Sequence, residues 1–222
     1  MFSFDTCMYE RCNKPVLFCP PEGIGEAEKK AIPPCRHCKE HCENGDEIGQ
    51  FVGDYILRHD VIAGLSVAGL ELRDFDFSDK RFYGCNFQNC SFSNIHSEHC
   101  KIHISIFDFS VFSDCNMLCS NIQFSSFAGC TFSHAIFTNS ELVHNNFNGI
   151  TASQSSFDDS DLYNSRFMRS KLVQTSFRNC NIKKTCFYES IQQDISFKLS
   201  NTREALFSPE KTEELLAGGG QR

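Results

Sequence analysis

Six cysteines crowd the first 42 residues: Cys7, Cys12, Cys19, Cys35, Cys38 and Cys42. The densest stretch is Cys35-Arg36-His37-Cys38-Lys39-Glu40-His41-Cys42. A Cys-x2-Cys pair lets two thiolates converge on one ion, and Cys42 is near enough in sequence to be a third ligand. Tetrahedral zinc takes four, and Cys7, Cys12 or Cys19 can supply the fourth across a Pro-rich loop, with His37 and His41 as substitutes. A structural metal also has a physical motive, because the segment is too short and polar to build its own core. Two other readings stand beside zinc. Cys19-Pro20 and Cys-x2-Cys suit thiolate ligation of an iron–sulfur cluster in a redox or sensor protein, although the spacing is not that of a ferredoxin. The cysteines can also be reduced and unliganded, or disulfide-linked.

A second cluster, His96-x2-His99-Cys100-x2-His103, has the types of a transition-metal site, but a solvated, irregular coil explains it as well. Catalysis finds little support. There is no phosphate loop, no nucleophile elbow and no paired acid–base constellation, so the chain reads as a non-enzyme. The net charge of −7 argues against direct nucleic-acid binding through phosphates. No run of about 18 apolar residues offers a membrane span. The N-terminus lacks the basic and apolar regions of a secretory signal, and the expected setting is a bacterial cytoplasm.

What must position these groups is a lattice with a period of five. Stepping from Leu72 through Phe77, Phe82 and Phe87 to Phe207, 24 of 28 slots are Phe, Leu, Ile or Met. Those types form about a quarter of the chain, so chance would fill about seven slots. Two residues before each centre, Ala, Cys, Ser or Thr fills 21 of the 28 positions from Leu70 to Ala205. Cys85, Cys90, Cys100, Cys115, Cys130 and Cys180 all occupy that small slot, where a thiol acts as a small hydrophobe. A period of five fits neither a helix nor a flat strand and requires a turn in every unit. Four units closing a square give a 20-residue coil with the large residue inward. About seven coils stacked about 4.8 Å apart make a rod roughly 33 Å long.

NFQNC-SF, TFSHA-IF and DLYNS-RF resemble the A(D/N)LXX units of the pentapeptide-repeat family, with Phe favoured over Leu. The resemblance runs from about residue 70 to 207 and implies that family's fold: an all-β, right-handed quadrilateral β-helix. The pattern departs at Ser97, Ala152, Gln192 and Thr202, where a coil is expected to loosen or bulge. Phe87, Phe107, Phe127, Phe147, Phe167, Phe187 and Phe207 should stack as one aromatic column.

The expected organisation has four parts. Residues 1–45 form the Cys-rich extension, and 46–69 hold a capping helix, with Asn44 or Asp46 as N-cap, and the entering strand. Residues 70–207 are the rod. Residues 208–222 begin with Ser208-Pro209-Glu210, a helix-start signature, and end in a flexible tail.

On the rod, Ile104, Ile106, Phe109 and Phe124, with Val111 and Leu118 nearby, are apolar at positions predicted to face outward. Such a patch on a rigid surface marks a protein partner, or self-association into a homodimer. A non-catalytic protein-interaction scaffold is therefore the expected role. The family resemblance implies one further reading, a DNA mimic that binds gyrase. Residues 70–207 hold 14 acids and 12 bases, a balance too even for a duplex-like acidic rod.

Overall fold

The computed structural model describes residues 5–21, 24–33 and 36–208. From Val61 onward the chain winds in 20-residue turns, each with four short extended segments. The first turn sets the register: β2 (Val61–Ala63), β3 (Ser66–Ala68) and β4 (Glu71–Arg73) pair in parallel with segments 20 residues on, matching Ile62 to Phe82, Val67 to Phe87 and Leu72 to Phe92. The fourth side follows the same rule, with Asp76 bridged to His96. The result is a four-sided β-solenoid of about seven turns. Its third side is a seven-stranded parallel sheet that starts at β4 and ends at Ile191–Gln193.

The lattice explains this winding residue by residue. The large central side chains fill the axis. From Phe87 to Phe207 the rings of the second column stack at 4.8–5.2 Å with interplanar angles of 3–13°. That spacing is the strand separation itself, so every coil buries its neighbours' rings. The small slot is also polar for a reason. The Cys85 N–H donates to Ser105 Oγ, and the Ser105 N–H to Ser125 Oγ. Inner hydroxyls in turn donate to a carbonyl 23 residues back, as Ser165 Oγ does to Leu142 O at 2.6 Å. The corner therefore leaves few buried polar groups unpaired. Two residues past each centre the chain turns with positive φ, as at Asn89 (57°), Asn94 (52°) and Asp114 (54°), residue types that tolerate this region.

The interruptions behave differently from one another. Ala152 is fully buried and stays in register between Phe132 and Leu172, with no bulge. Ser97 also keeps register but adjoins a void of about 30 Å³ lined by Phe77, Met117 and Ile56. Gln192 is exposed at the last sheet edge, and Thr202 starts a 3-10 turn over Thr202–Glu204.

At the N-terminal end, α2 (Gly45–Arg58) lays Ile48, Val52, Tyr55 and Ile56 over the first coil. Asn44 is its N-cap residue by backbone, with no side-chain cap bond. Close approach depends on Gly53, where a Cβ would meet the Phe75 ring at 2.1 Å. Before α2 come β1 (Phe18–Cys19) and the short α1 (Glu26–Ala31). β1 pairs antiparallel with β3 and so lies along the first coil. The helix expected from Ser208 falls on Pro209 and beyond, outside the described residues.

Candidate metal centre and docking face

Two loops meet beside the first coil. A tight hairpin is closed by the bridge of Thr6 to Pro15 and by the Cys7 N–H donating to Lys14 O, and it carries Cys7 and Cys12. The second loop runs alongside: the Met8 N–H donates to Arg36 O and the Leu17 N–H to His37 O. It then turns tightly, the His41 N–H donating to Cys38 O, which points Cys38 and His41 the same way. Lys14 pairs with Glu40 across the two loops, and Lys39 anchors the second to Glu71 of β4 at 2.8 Å.

The four side chains converge. Their ligand atoms, three sulfurs and one ring nitrogen, all lie within 4.8 Å of one another. Cys12 Sγ is 3.8 Å from Cys38 Sγ, and His41 Nδ1 is 3.4 Å from Cys38 Sγ and 3.5 Å from Cys7 Sγ. An ion at about 2.3 Å from sulfur and about 2.0–2.1 Å from nitrogen, bound tetrahedrally, sets sulfurs about 3.8 Å apart and sulfur and nitrogen about 3.5 Å apart. The donor set and its spacing thus fit a tetrahedral Cys3His site. Tyr9 stacks on the His41 ring at 3.9 Å and fixes its orientation.

The electrostatics favour a thiolate at Cys7. Desolvation pushes that thiol up, but the backbone N–H groups of Cys38 and Tyr9, with His41 and Cys12 beside it, bring it down to about 6. Cys12 moves the other way: the Lys14 N–H lowers it, while desolvation and the neighbouring sulfurs of Cys38 and Cys7 together raise it further.

Of the six expected ligands, Cys7, Cys12 and Cys38 come together. Cys19 turns instead toward Asp5, at 3.6 Å from its carboxylate, and Cys42 toward Asn44 Oδ1 at 3.1 Å. Cys35 lies outside the described residues. His41, named only as a substitute, takes the fourth place. Its signal was the Cys38-x2-His41 spacing, which brings two ligands onto one turn as well as Cys-x2-Cys does.

The rod's own thiols are different. Burial pushes Cys85, Cys90, Cys100 and Cys130 up to about 12, and each sits in the inner slot, Cys100 Sγ donating to Phe77 O at 2.9 Å. His96, His99 and His103 are spread over two sides and the corner between them, and among the described residues they form no ligand group.

The apolar residues do share one side of the rod. Ile104 and Phe124 stack along one corner of the second side, Phe109 stands at its other corner, and Ile106 lies between. Ile104, Phe109 and Phe124 are about 60 % exposed. Phe109 lies over Gly129, whose Cβ would come within 2.7 Å of the ring. Ile104, Ile106, Phe124, His144, Asn146 and Arg166 line a shallow groove of about 290 Å³. Phe124 stacks on His144 at 4.9 Å and 5°. Val111 adjoins the Phe109 corner, whereas Leu118 is on the fourth side. Arg166 was missed as a groove residue, though the 20-residue register places it in column with Ile106.

Residues 130–207 match the family model of a pentapeptide repeat region. Solved structures with similarity include a pentapeptide repeat protein (Rfr23) from the cyanobacterium Cyanothece 51142, at 11 % identity and TM-score 0.43 over 72 % of this chain and 99 % of that one. A pentapeptide repeat protein of the Arabidopsis thaliana thylakoid lumen aligns at 20 % identity and TM-score 0.40, over 54 % of this chain and 69 % of that one. QnrB1, a plasmid-mediated fluoroquinolone resistance protein, aligns at 14 % identity and TM-score 0.38, over 72 % and 88 %. No curated protein matches the sequence. The family match covers the C-terminal half of the rod, so residues 130–207 are a pentapeptide repeat region, and the same 20-residue register runs back from it to Val61.

Proposed function

We propose that this chain is a non-catalytic protein-interaction scaffold whose docking face is built from Ile104, Ile106, Phe109 and Phe124, with a structural zinc ion tying the two N-terminal loops to each other beside the first coil. One observation carries the docking reading. Ile104, Phe109 and Phe124 are exposed at corners with φ of 51°, 62° and 52°, where most other coils place Asn, Asp, Gly or another polar residue. Left-handed backbone costs a bulky side chain about 1–2 kcal/mol, and exposing these side chains gains nothing in folding. A use outside the folded chain accounts for both. Partner recovery on immobilised wild-type protein and on Ile104→Glu/Phe124→Glu tests it; equal recovery would remove the reading.

Zinc is favoured over an iron–sulfur cluster by the closeness of the ligand atoms. Sulfurs 3.8 Å apart suit one ion, and a multi-iron cluster needs its thiolates spread wider. Elemental analysis of protein purified without chelator should find about one zinc per chain. Iron with visible absorbance, or no metal, would overturn this.

A further inference from the structure

The docking face has a charge pattern that narrows what it binds. The stretch from Arg166 to Lys184 contains six basic residues and no acid. Most of them are engaged: Arg169 with Glu189, Arg178 with Asp158, Lys183 with Glu204, and Lys184 over the Tyr163 ring. Arg166 is exposed at the groove's C-terminal end and has no carboxylate within ion-pair distance among the described residues. Successive bridges join Ile106, Ser126, Asn146 and Arg166 into one column, so the groove grades from aliphatic through polar to cationic along the rod axis.

Resting on the docking reading above, we propose that this groove takes an extended segment of a partner protein in which one or two large apolar side chains sit beside a carboxylate. The apolar side chains cover Ile104, Ile106 and Phe124, and the carboxylate pairs with Arg166. Arginine suits that role because its planar fork binds a carboxylate through two parallel hydrogen bonds. A wholly apolar segment would bury the guanidinium without a partner, which is unfavourable, and a basic one would meet it with like charge.

The test uses a display library of random linear peptides, selected on the full chain. Peptides that bind should pair Leu, Ile or Phe with Asp or Glu. Ile104→Asn/Phe124→Asn serves as the control, because asparagine is at home at these corners: it occupies them at Asn89, Asn94, Asn139, Asn164 and Asn179. That variant should be at least as heat-stable as wild type and still lose binding at least tenfold. Arg166→Glu should weaken the selected acidic peptides at least tenfold and, in a fresh selection, favour Lys or Arg instead. Binding that survives Arg166→Glu but fails in Ile104→Asn/Phe124→Asn overturns the acidic class and leaves the docking reading standing. Binding unchanged in both variants overturns both. Concentration-dependent self-association abolished by Ile104→Asn/Phe124→Asn would make a second copy of this chain the occupant and overturn the proposal. Competition by a synthetic peptide of residues 209–222 would do the same in favour of the chain's own tail, which carries Glu213, Glu214, Leu215 and Leu216.

Discussion

Each proposed ligand of the metal centre is held by a local device of its own loop, and this makes the substitutions separable. Cys7 and Cys12 hang on the hairpin, Cys38 and His41 on one turn. Changing Cys7, Cys12 or Cys38 to Ser should reduce bound zinc to well below half, read by elemental analysis, whereas Cys19→Ser and Cys42→Ser should leave it intact. Loss in Cys42→Ser equal to that in Cys38→Ser would contradict the assigned ligand set. On the rod, Asp158 is the most strongly engaged carboxylate. Burial pushes it up, but the Ser176 hydroxyl, the Arg178 guanidinium at 2.6 Å and the Arg178 N–H at 2.8 Å outweigh that and hold it below the ordinary aspartate range. Its contribution is therefore complete at neutral pH and fades as pH falls through the depressed value. Asp158→Asn should lower Tm by several degrees at pH 7, and the gap to wild type should close in acid. A gap independent of pH would point to packing instead.

At the scale of the coil, each five-residue element is judged by how well it fills its slot. Ser97 leaves a void of about 30 Å³ where other coils put Phe or Met. Ser97→Val should fill it and stabilise by about 1 kcal/mol, or about 2–4 °C in Tm; a lower Tm would show the site to be overpacked. The opposite error, deleting a ring from the stack at Phe127→Ala, should cost about 3–5 kcal/mol. Corners obey another rule. Gly129 has φ of 67° and carries the Phe109 ring, so Gly129→Ala should destabilise by about 1–2 kcal/mol and displace Phe109 from the proposed docking face. A docking defect in Gly129→Ala with Phe109 unmoved in a crystal structure would separate the two effects.

Over the whole molecule, the N-terminal module and the rod have different sources of stability. The rod is a sum of stacked neighbours, and one hydrophobic cluster runs along it from α2 to Phe207, with Leu17, Phe18 and Ile24 of the N-terminal module packed onto its first end. The module depends on β1 lying on β3, a few apolar anchors such as Leu17 and Phe18, loop bonds and the four converging ligands. Chelation should therefore release the first without unfolding the second. Limited proteolysis of chelated protein should cut between residues 5 and 44 and spare residues 61–207; uncut protein, or loss of the rod together with the module, would contradict this division.

Much of this was legible in the residues. The period of five, the inward Phe column and the small inner slot follow from short-range repetition, because in a solenoid each unit meets only its copies 20 residues away. Register along the chain thus becomes register in space, and Phe87 predicts its contact with Phe107. The N-terminal 44 residues have no such rule. There, Cys7 meets His41 across 34 residues because two unlike loops pack together, and no spacing in the chain encodes that choice over Cys42 or Cys19. Arg166 is the opposite case: its column follows from the register, and the same register assigns Asp158 to Arg178 and Glu189 to Arg169, which leaves it without a carboxylate partner among the described residues. Repetition determined the rod from sequence alone, together with the charge pairs one coil apart such as Arg178 with Asp158; only the packing of the non-repeating N-terminal loops decided the metal centre, because Cys7, Cys12, Cys38 and His41 are residues that no period relates.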